Sequence, residues 1–126
     1  MENIYLNYRG SLTGEESQSS LSTKLQKVKL KVINGENLCS VSSSYDSSKM
    51  YCAIDVDTER RANSCFGDSG GPLSYYSNGT WYIYGIASFL IVFENGKCDP
   101  SYPSYYTQVP KYLDWIYLKI KQLNSR

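Results

Sequence analysis

The 126-residue sequence contains no histidine. It therefore has no imidazole to complete a mixed cysteine–histidine metal site, and none to serve as a general base near neutral pH. Short cysteine knuckles of the zinc-binding kind are also missing. Of the four cysteines, Cys39, Cys52, Cys65 and Cys98, no two come closer than Cys39 and Cys52. No apolar stretch reaches the roughly 18 residues of a membrane span. The longest such run, Trp81 to Phe93, is interrupted by Gly85 and Ser88 and reads as two strands. The opening MENIYLNYRG lacks a basic segment followed by an apolar core, so it is not a signal peptide. Neither sign of charge dominates: 13 Lys and Arg face 12 Asp and Glu. A net charge of +1 leaves no electrostatic footprint for nucleic acid or an acidic membrane surface. No internal repeat is visible.

What is present suits a single globular domain over residues 1–126. The composition is 41% hydrophobic and 20% charged, unlike that of a disordered chain. Thirteen tyrosines, residues that favour half-buried strands, point to an all-β architecture. Four cysteines allow two disulfides or one metal site, and their wide spacing favours disulfides and an oxidising compartment. Disulfides without an export signal imply that the natural N-terminal part precedes Met1.

Along the chain, residues 9–24 are polar and turn-rich and read as a surface loop. Val28, Leu30 and Val32 alternate with Lys27, Lys29 and Lys31, the period of an antiparallel strand with one buried face. Residues 40–48 form a second polar loop, and Met50 to Ile54 a short apolar segment. Strand-like runs at Leu73–Tyr76 and Trp81–Phe89 flank Ser77-Asn78-Gly79, a turn signal. Asn78-Gly79-Thr80 is also a glycosylation sequon, which makes Asn78 a candidate modification site. A last strand is expected at Tyr105–Val109. After Pro110, Leu113, Ile116, Ile120 and Leu123 fall at helical spacing, which predicts an amphipathic helix of about three turns.

The chemistry concentrates in Cys65-Phe66-Gly67-Asp68-Ser69-Gly70-Gly71-Pro72-Leu73. Glycines reach backbone angles closed to other residues, so successive N–H groups can face one concavity. A serine on such a turn is exposed and flanked by donors able to stabilise an oxyanion. The bland alternative is a glycine-rich hairpin loop carrying an idle serine.

The segment resembles the nucleophile signature C-x-G-D-S-G-G-P of the chymotrypsin/trypsin family of serine endopeptidases. Further similarities follow in the family's order. Tyr8-Arg9-Gly10 lies where Gly-Trp-Gly is common, and the strand LQKVKLKVI precedes Cys39. Met50-Tyr51-Cys52-Ala53, Ile86-Ala87-Ser88-Phe89, Pro103-Ser104-Tyr105-Tyr106-Thr107-Gln108-Val109 and Tyr112-Leu113-Asp114-Trp115-Ile116 each resemble a family landmark.

The resemblance implies the C-terminal six-stranded antiparallel Greek-key barrel of that fold, closed by a C-terminal helix, with the N-terminal barrel lying outside this sequence. It implies Ser69 as nucleophile, an oxyanion hole from the N–H groups of Gly67 and Ser69, and bridges Cys39–Cys52 and Cys65–Cys98. It assigns Asn63, Ser88, Phe89, Leu90 and Ser104 to the specificity pocket. Asn63 stands where trypsin-like specificity uses an aspartate, so small or modest apolar side chains are expected as substrate determinants. It implies secretion, a polypeptide substrate, no cofactor and no metal.

The family's base and its orienting aspartate belong to the absent barrel, so the chain alone is expected to be inactive, with that barrel as its natural partner. A non-catalytic homologue acting as a binding or regulatory module is the competing expectation. Asp68, activation-linked in the family, is expected to swing toward water without the amine it pairs with, collapsing the oxyanion hole. An exposed apolar inter-barrel surface is expected to limit solubility.

Overall fold

The computed structural model describes residues 4–8, 25–59 and 61–125. The expected loop over 9–24 therefore lies outside the described residues. Six strands, β1 (Ile4–Tyr8), β2 (Gln26–Val32), β3 (Met50–Asp55), β4 (Pro72–Ser77), β5 (Thr80–Phe89) and β6 (Ser104–Gln108), are followed by one helix, α1 (Leu113–Asn124). All pairings are antiparallel, and the strands close into a barrel in the order β1-β2-β3-β6-β5-β4. Because β4 returns beside β1 after the meander β1-β2-β3, the first four strands form a Greek key. The connection from β3 to β4 must therefore cross one end of the barrel, and it carries residues 56–71.

β2 behaves as its alternation predicts: Val28 and Leu30 are buried while Lys27, Lys29 and Lys31 stay in water. Together with Tyr51, Ala53, Ala62, Leu73, Ala87 and Tyr106 they fill the barrel. A second cluster of Ile33, Cys39, Cys52, Ile54 and Tyr105 lies on the other face of β3 and β6. The short 3-10 turn Asn37–Val41 contributes Cys39 to it, and the Tyr105 hydroxyl donates to the Cys39 carbonyl at 2.7 Å. Phe89 stacks on Tyr105 with ring centroids 4.5 Å apart. β3 and β6 are thus buried on both faces.

Ser77 and Thr80 pair across a two-residue turn, with Asn78 at φ +49° and Gly79 at φ +81°. Two consecutive positive φ angles make this the type I′ turn whose twist matches the flanking strands.

One sequence reading needs correction. Trp81–Phe93 is not two strands: β5 runs unbroken to Phe89, and Val92 then makes an isolated bridge to Cys98. The register slips at Tyr84 and again at Ser88, each an extra residue on β5, so the strand bends through bulges instead of stopping. Helix α1 forms where the spacing places it, but its apolar side chains are not covered. Leu113, Trp115, Tyr117, Leu118, Ile120 and Leu123 are all exposed, and Ile116 alone is half-buried.

Candidate active site

The crossover from β3 to β4 is shaped by side-chain caps. Asp55, buried at the end of β3, accepts the Asp57 N–H through Oδ1 at 2.9 Å and the Ala62 N–H through Oδ2 at 2.7 Å. Asp57 in turn accepts the Glu59 N–H at 2.9 Å. These bonds draw Asp57 and Ala62 back to Asp55, and Glu59 to Asp57, and set Ala62 and Asn63 at the end of the barrel. Asp46, in a separate turn, accepts both the N–H and the hydroxyl of Ser48, which hold its carboxyl below the usual carboxylate range. Asp55 and Asp46 thus have local structural duties.

Asn63 is buried with both ends of its amide engaged: Nδ2 donates to the Tyr102 carbonyl at 3.0 Å and Oδ1 accepts the Ser64 N–H at 2.9 Å. The Ser64 hydroxyl donates to the buried Ser104 hydroxyl at 2.7 Å. The wholly buried Tyr106 hydroxyl lies beside this pair, and burial pushes its proton affinity up. These contacts join the crossover to the start of β6. The Cys65–Cys98 disulfide, with Cα atoms 5.7 Å apart, ties it to the loop before β6. Cys39 and Cys52 form the other bridge, at 5.9 Å. All four thiols are therefore engaged, and the metal alternative for the cysteines falls away.

Ser69 sits on the turn that follows. Gly67 at φ +92° and Gly70 at φ +84° occupy the left-handed region, which glycine tolerates without a Cβ clash. Asp68 N–H bonds the Cys65 carbonyl at 3.1 Å, and Gly71 N–H bonds the Asp68 carbonyl at 2.9 Å. Two further bonds stitch the turn to β5: Gly70 N–H to the Ala87 carbonyl at 2.8 Å, and Ala87 N–H to the Gly71 carbonyl at 2.9 Å. The N–H groups of Gly67 and Ser69 donate to no backbone carbonyl among the described residues. Ser69 is exposed, and its Oγ lies 3.5 Å from the Ser88 carbonyl, a long, weak contact. Ser88 is the second bulge residue of β5, so the bulge turns the strand end toward the serine.

Asp68 does not swing into water. It is 5% exposed, and its Oδ2 accepts the Cys65 N–H at 2.6 Å. A buried carboxylate is tolerable when it accepts such charge-assisted bonds. The turn itself supplies this donor.

The structure therefore brings Asn63, Ser104, Asp68, Gly67, Ser69 and Ser88 onto one end of the barrel, with Phe89 and Leu90, both half-buried, continuing from Ser88. Asn78 lies apart, at the β4–β5 turn. Sequence reasoning missed Asp55, Ser64, Ala87, Tyr102 and Tyr106. Only Asp55 carried a local signal, the DVDTE pattern in which each aspartate can cap the amide two residues on. A hollow of about 940 Å³ bounded by Lys27–Lys29, Asp55–Glu59, Arg61, Ala62, Pro100 and Ser101 does not include Ser69 and forms no part of this constellation.

An antiparallel Greek-key barrel with a serine on a glycine turn, bridged to the neighbouring loop, defines a trypsin-type nucleophile domain. The Trypsin family model matches residues 8–116, and the chain belongs to that family. It is 38% identical to CLIP domain-containing serine protease B4 of Anopheles gambiae over 109 residues, covering 82% of this chain and 28% of that protein. It is 37% identical to human Transmembrane protease serine 5 over 83 residues, covering 64% of this chain and 17% of that protein. The chain thus spans less than a third of either relative. Among the described residues no helix is long and apolar enough to cross a membrane.

Proposed function

We propose that this chain supplies the nucleophile-bearing barrel of a secreted serine endopeptidase that hydrolyses polypeptides through an acyl-enzyme. The carrying observation is the exposed Ser69 on a turn whose Gly67 and Ser69 amides are not spent on backbone carbonyls among the described residues. Ser69 Oγ attacks the scissile carbonyl carbon, and those two N–H groups receive the oxyanion as it forms. Each such donor contributes about 3–4 kcal/mol to acyl-transfer transition states.

The hydroxyl is a poor nucleophile until a base removes its proton. With no histidine among the 126 residues, the base and its orienting carboxylate come from outside this chain. The chain alone is accordingly inactive, and the barrel that carries the base is its partner. The base then protonates the leaving amine, and water hydrolyses the ester on Ser69.

Asn63 forms the base of the specificity pocket, with Ser88, Phe89, Leu90 and Ser104 along its walls. Its amide is neutral and already bonded to Tyr102 and Ser64, so it offers no charge to a substrate lysine or arginine. Small or modest apolar side chains fit best. Asp68 retains the activation-linked role its place in the signature implies, and its bond to Cys65 keeps it inside the turn meanwhile.

The histidine-free composition also favours a second reading, a non-catalytic homologue that binds or regulates. Assaying the full-length gene product beside this chain separates the two. The enzyme reading expects peptide hydrolysis by the full-length protein, lost about a million-fold in Ser69→Ala, and none by the chain alone. Hydrolysis that survives Ser69→Ala refutes the assignment of the nucleophile. A full-length protein inert toward peptides and toward a fluorophosphonate probe leaves the binding homologue.

A further inference from the structure

We propose that Asn78 is an N-glycosylation site whose innermost N-acetylglucosamine rests on the Tyr76–Trp81 ring pair. The inference uses the export included in the proposed function and is independent of Ser69. Asn78-Gly79-Thr80 meets the Asn-x-Ser/Thr requirement with the smallest residue in the middle. All three residues are exposed at the tip of the β4–β5 hairpin, held there by the type I′ turn. A glycan attached to Asn78 before folding therefore stays in solvent once the hairpin forms.

The surroundings fit a sugar. Tyr76 and Trp81 are register partners immediately below the turn, with ring centroids 5.2 Å apart. They are 48% and 57% exposed, a large aromatic area to leave in water beside a polar turn. The Tyr76 hydroxyl lies 3.9 Å from the point where a Cβ on Gly79 would stand, so this ring leans along the turn toward the sequon. Aromatic faces carry negative charge density, and the C–H face of a pyranose carries the complement. A sugar on Asn78 can settle on these rings and remove apolar surface from water.

In the transfer, Asn78 Nδ2 attacks C1 of the first sugar of a polyprenyl-pyrophosphate-linked oligosaccharide. The N–C1 bond forms, the C1–O bond breaks with its electron pair leaving on the pyrophosphate, and the amide gives one proton to the transferase.

The test expresses the full chain behind a cleavable export leader in a eukaryotic secretory cell. Glycan transfer precedes folding, so occupancy is read on the retained pool as well as on secreted protein. Digestion with a glycan-releasing amidase in heavy-oxygen water should leave an aspartate bearing one heavy oxygen at position 78. The mass shift should vanish in both Asn78→Gln and Thr80→Ala. In a Trp115→Phe background, Trp81 fluorescence should be quenched less by acrylamide in the glycosylated protein than after complete glycan removal, and Tyr76→Ser should shrink that difference. Unmodified Asn78 overturns the site. Equal quenching with and without glycan overturns the packing of the sugar on the rings.

Discussion

Gly85 lies in mid-β5, opposite Leu73 and next to the bulge at Tyr84. A Cβ added there would stand 3.2 Å from the Tyr106 Cβ and 3.3 Å from both the Cβ and the Cδ2 of Leu73. Ordinary carbon contacts are about 3.5–4.0 Å. Two of these three neighbours are Cβ atoms, which move only with their backbone, and both side chains are 0% exposed. Overpacking of this kind costs about 1–3 kcal/mol. Gly85 does not have a positive φ, so alanine meets no dihedral strain and recovers about 0.4–1 kcal/mol through the unfolded chain. The net expectation for Gly85→Ala is a loss of about 1–2 kcal/mol. At about 2.1 cal/mol/K of unfolding entropy per residue, Tm falls by roughly 4–8 °C. Circular dichroism melts with both disulfides intact measure this directly. A Tm unchanged or raised would refute the packing described for β4, β5 and β6. The effect should also reach the site, because Ala87, two residues on, makes both stitching bonds to Gly70 and Gly71.

Two further outcomes follow from the same contacts. Asp55→Ala removes two bonds to a charged acceptor and orphans the buried Ala62 amide, so it should cost about 3 kcal/mol by urea unfolding with an unchanged slope; a cost below about 0.5 kcal/mol would show that Ala62 stays in place without the Asp55 cap. Tyr51, Tyr105 and Tyr106 are all pushed upward, chiefly by burial. Below about pH 10 both states keep these protons and stability is flat; above it the unfolded chain ionises first, so each tyrosine lowers stability by about 1.4 kcal/mol per pH unit until its folded form ionises. Tyr106→Phe should remove roughly a third of that alkaline slope, and an absent slope between pH 10 and 11 would show the phenols to be wet.

The parts of the fold legible in the sequence are those whose cause is local. β2 could be read from Lys27 to Val32 because one face meets the core and the other meets water, so burial has the same period as the chain. β3 and β6 show no such alternation, because Tyr51 and Tyr106 face the barrel while Cys52 and Tyr105 face a cover made by the distant Asn37–Val41 turn. Gly85 looked like an interruption since glycine weakens isolated strands; here it is required by the close approach of Leu73 and Tyr106. The helical spacing after Pro110 specified α1 correctly, yet spacing says which residues share a face and not whether anything covers it.

The candidate-site turn divides the same way. Nine contiguous residues carry the serine, the glycines and the capping aspartate, so the motif was visible whole. What holds that motif against the barrel comes from elsewhere: Ala87 in β5, Tyr102 and Ser104 at the entry to β6, and Cys98 by a covalent bond. The error over Asp68 shows why the distinction matters. Reasoning from an unpaired buried charge expected expulsion, since the penalty for a lone carboxylate is severe. The Cys65 amide, three residues away on the same turn, changes the balance by offering the carboxylate a 2.6 Å bond inside the protein. That bond is one contact that keeps the carboxylate inside the turn. A buried carboxylate thus finds a donor three residues away along the chain, a contact that the motif's own spacing makes possible.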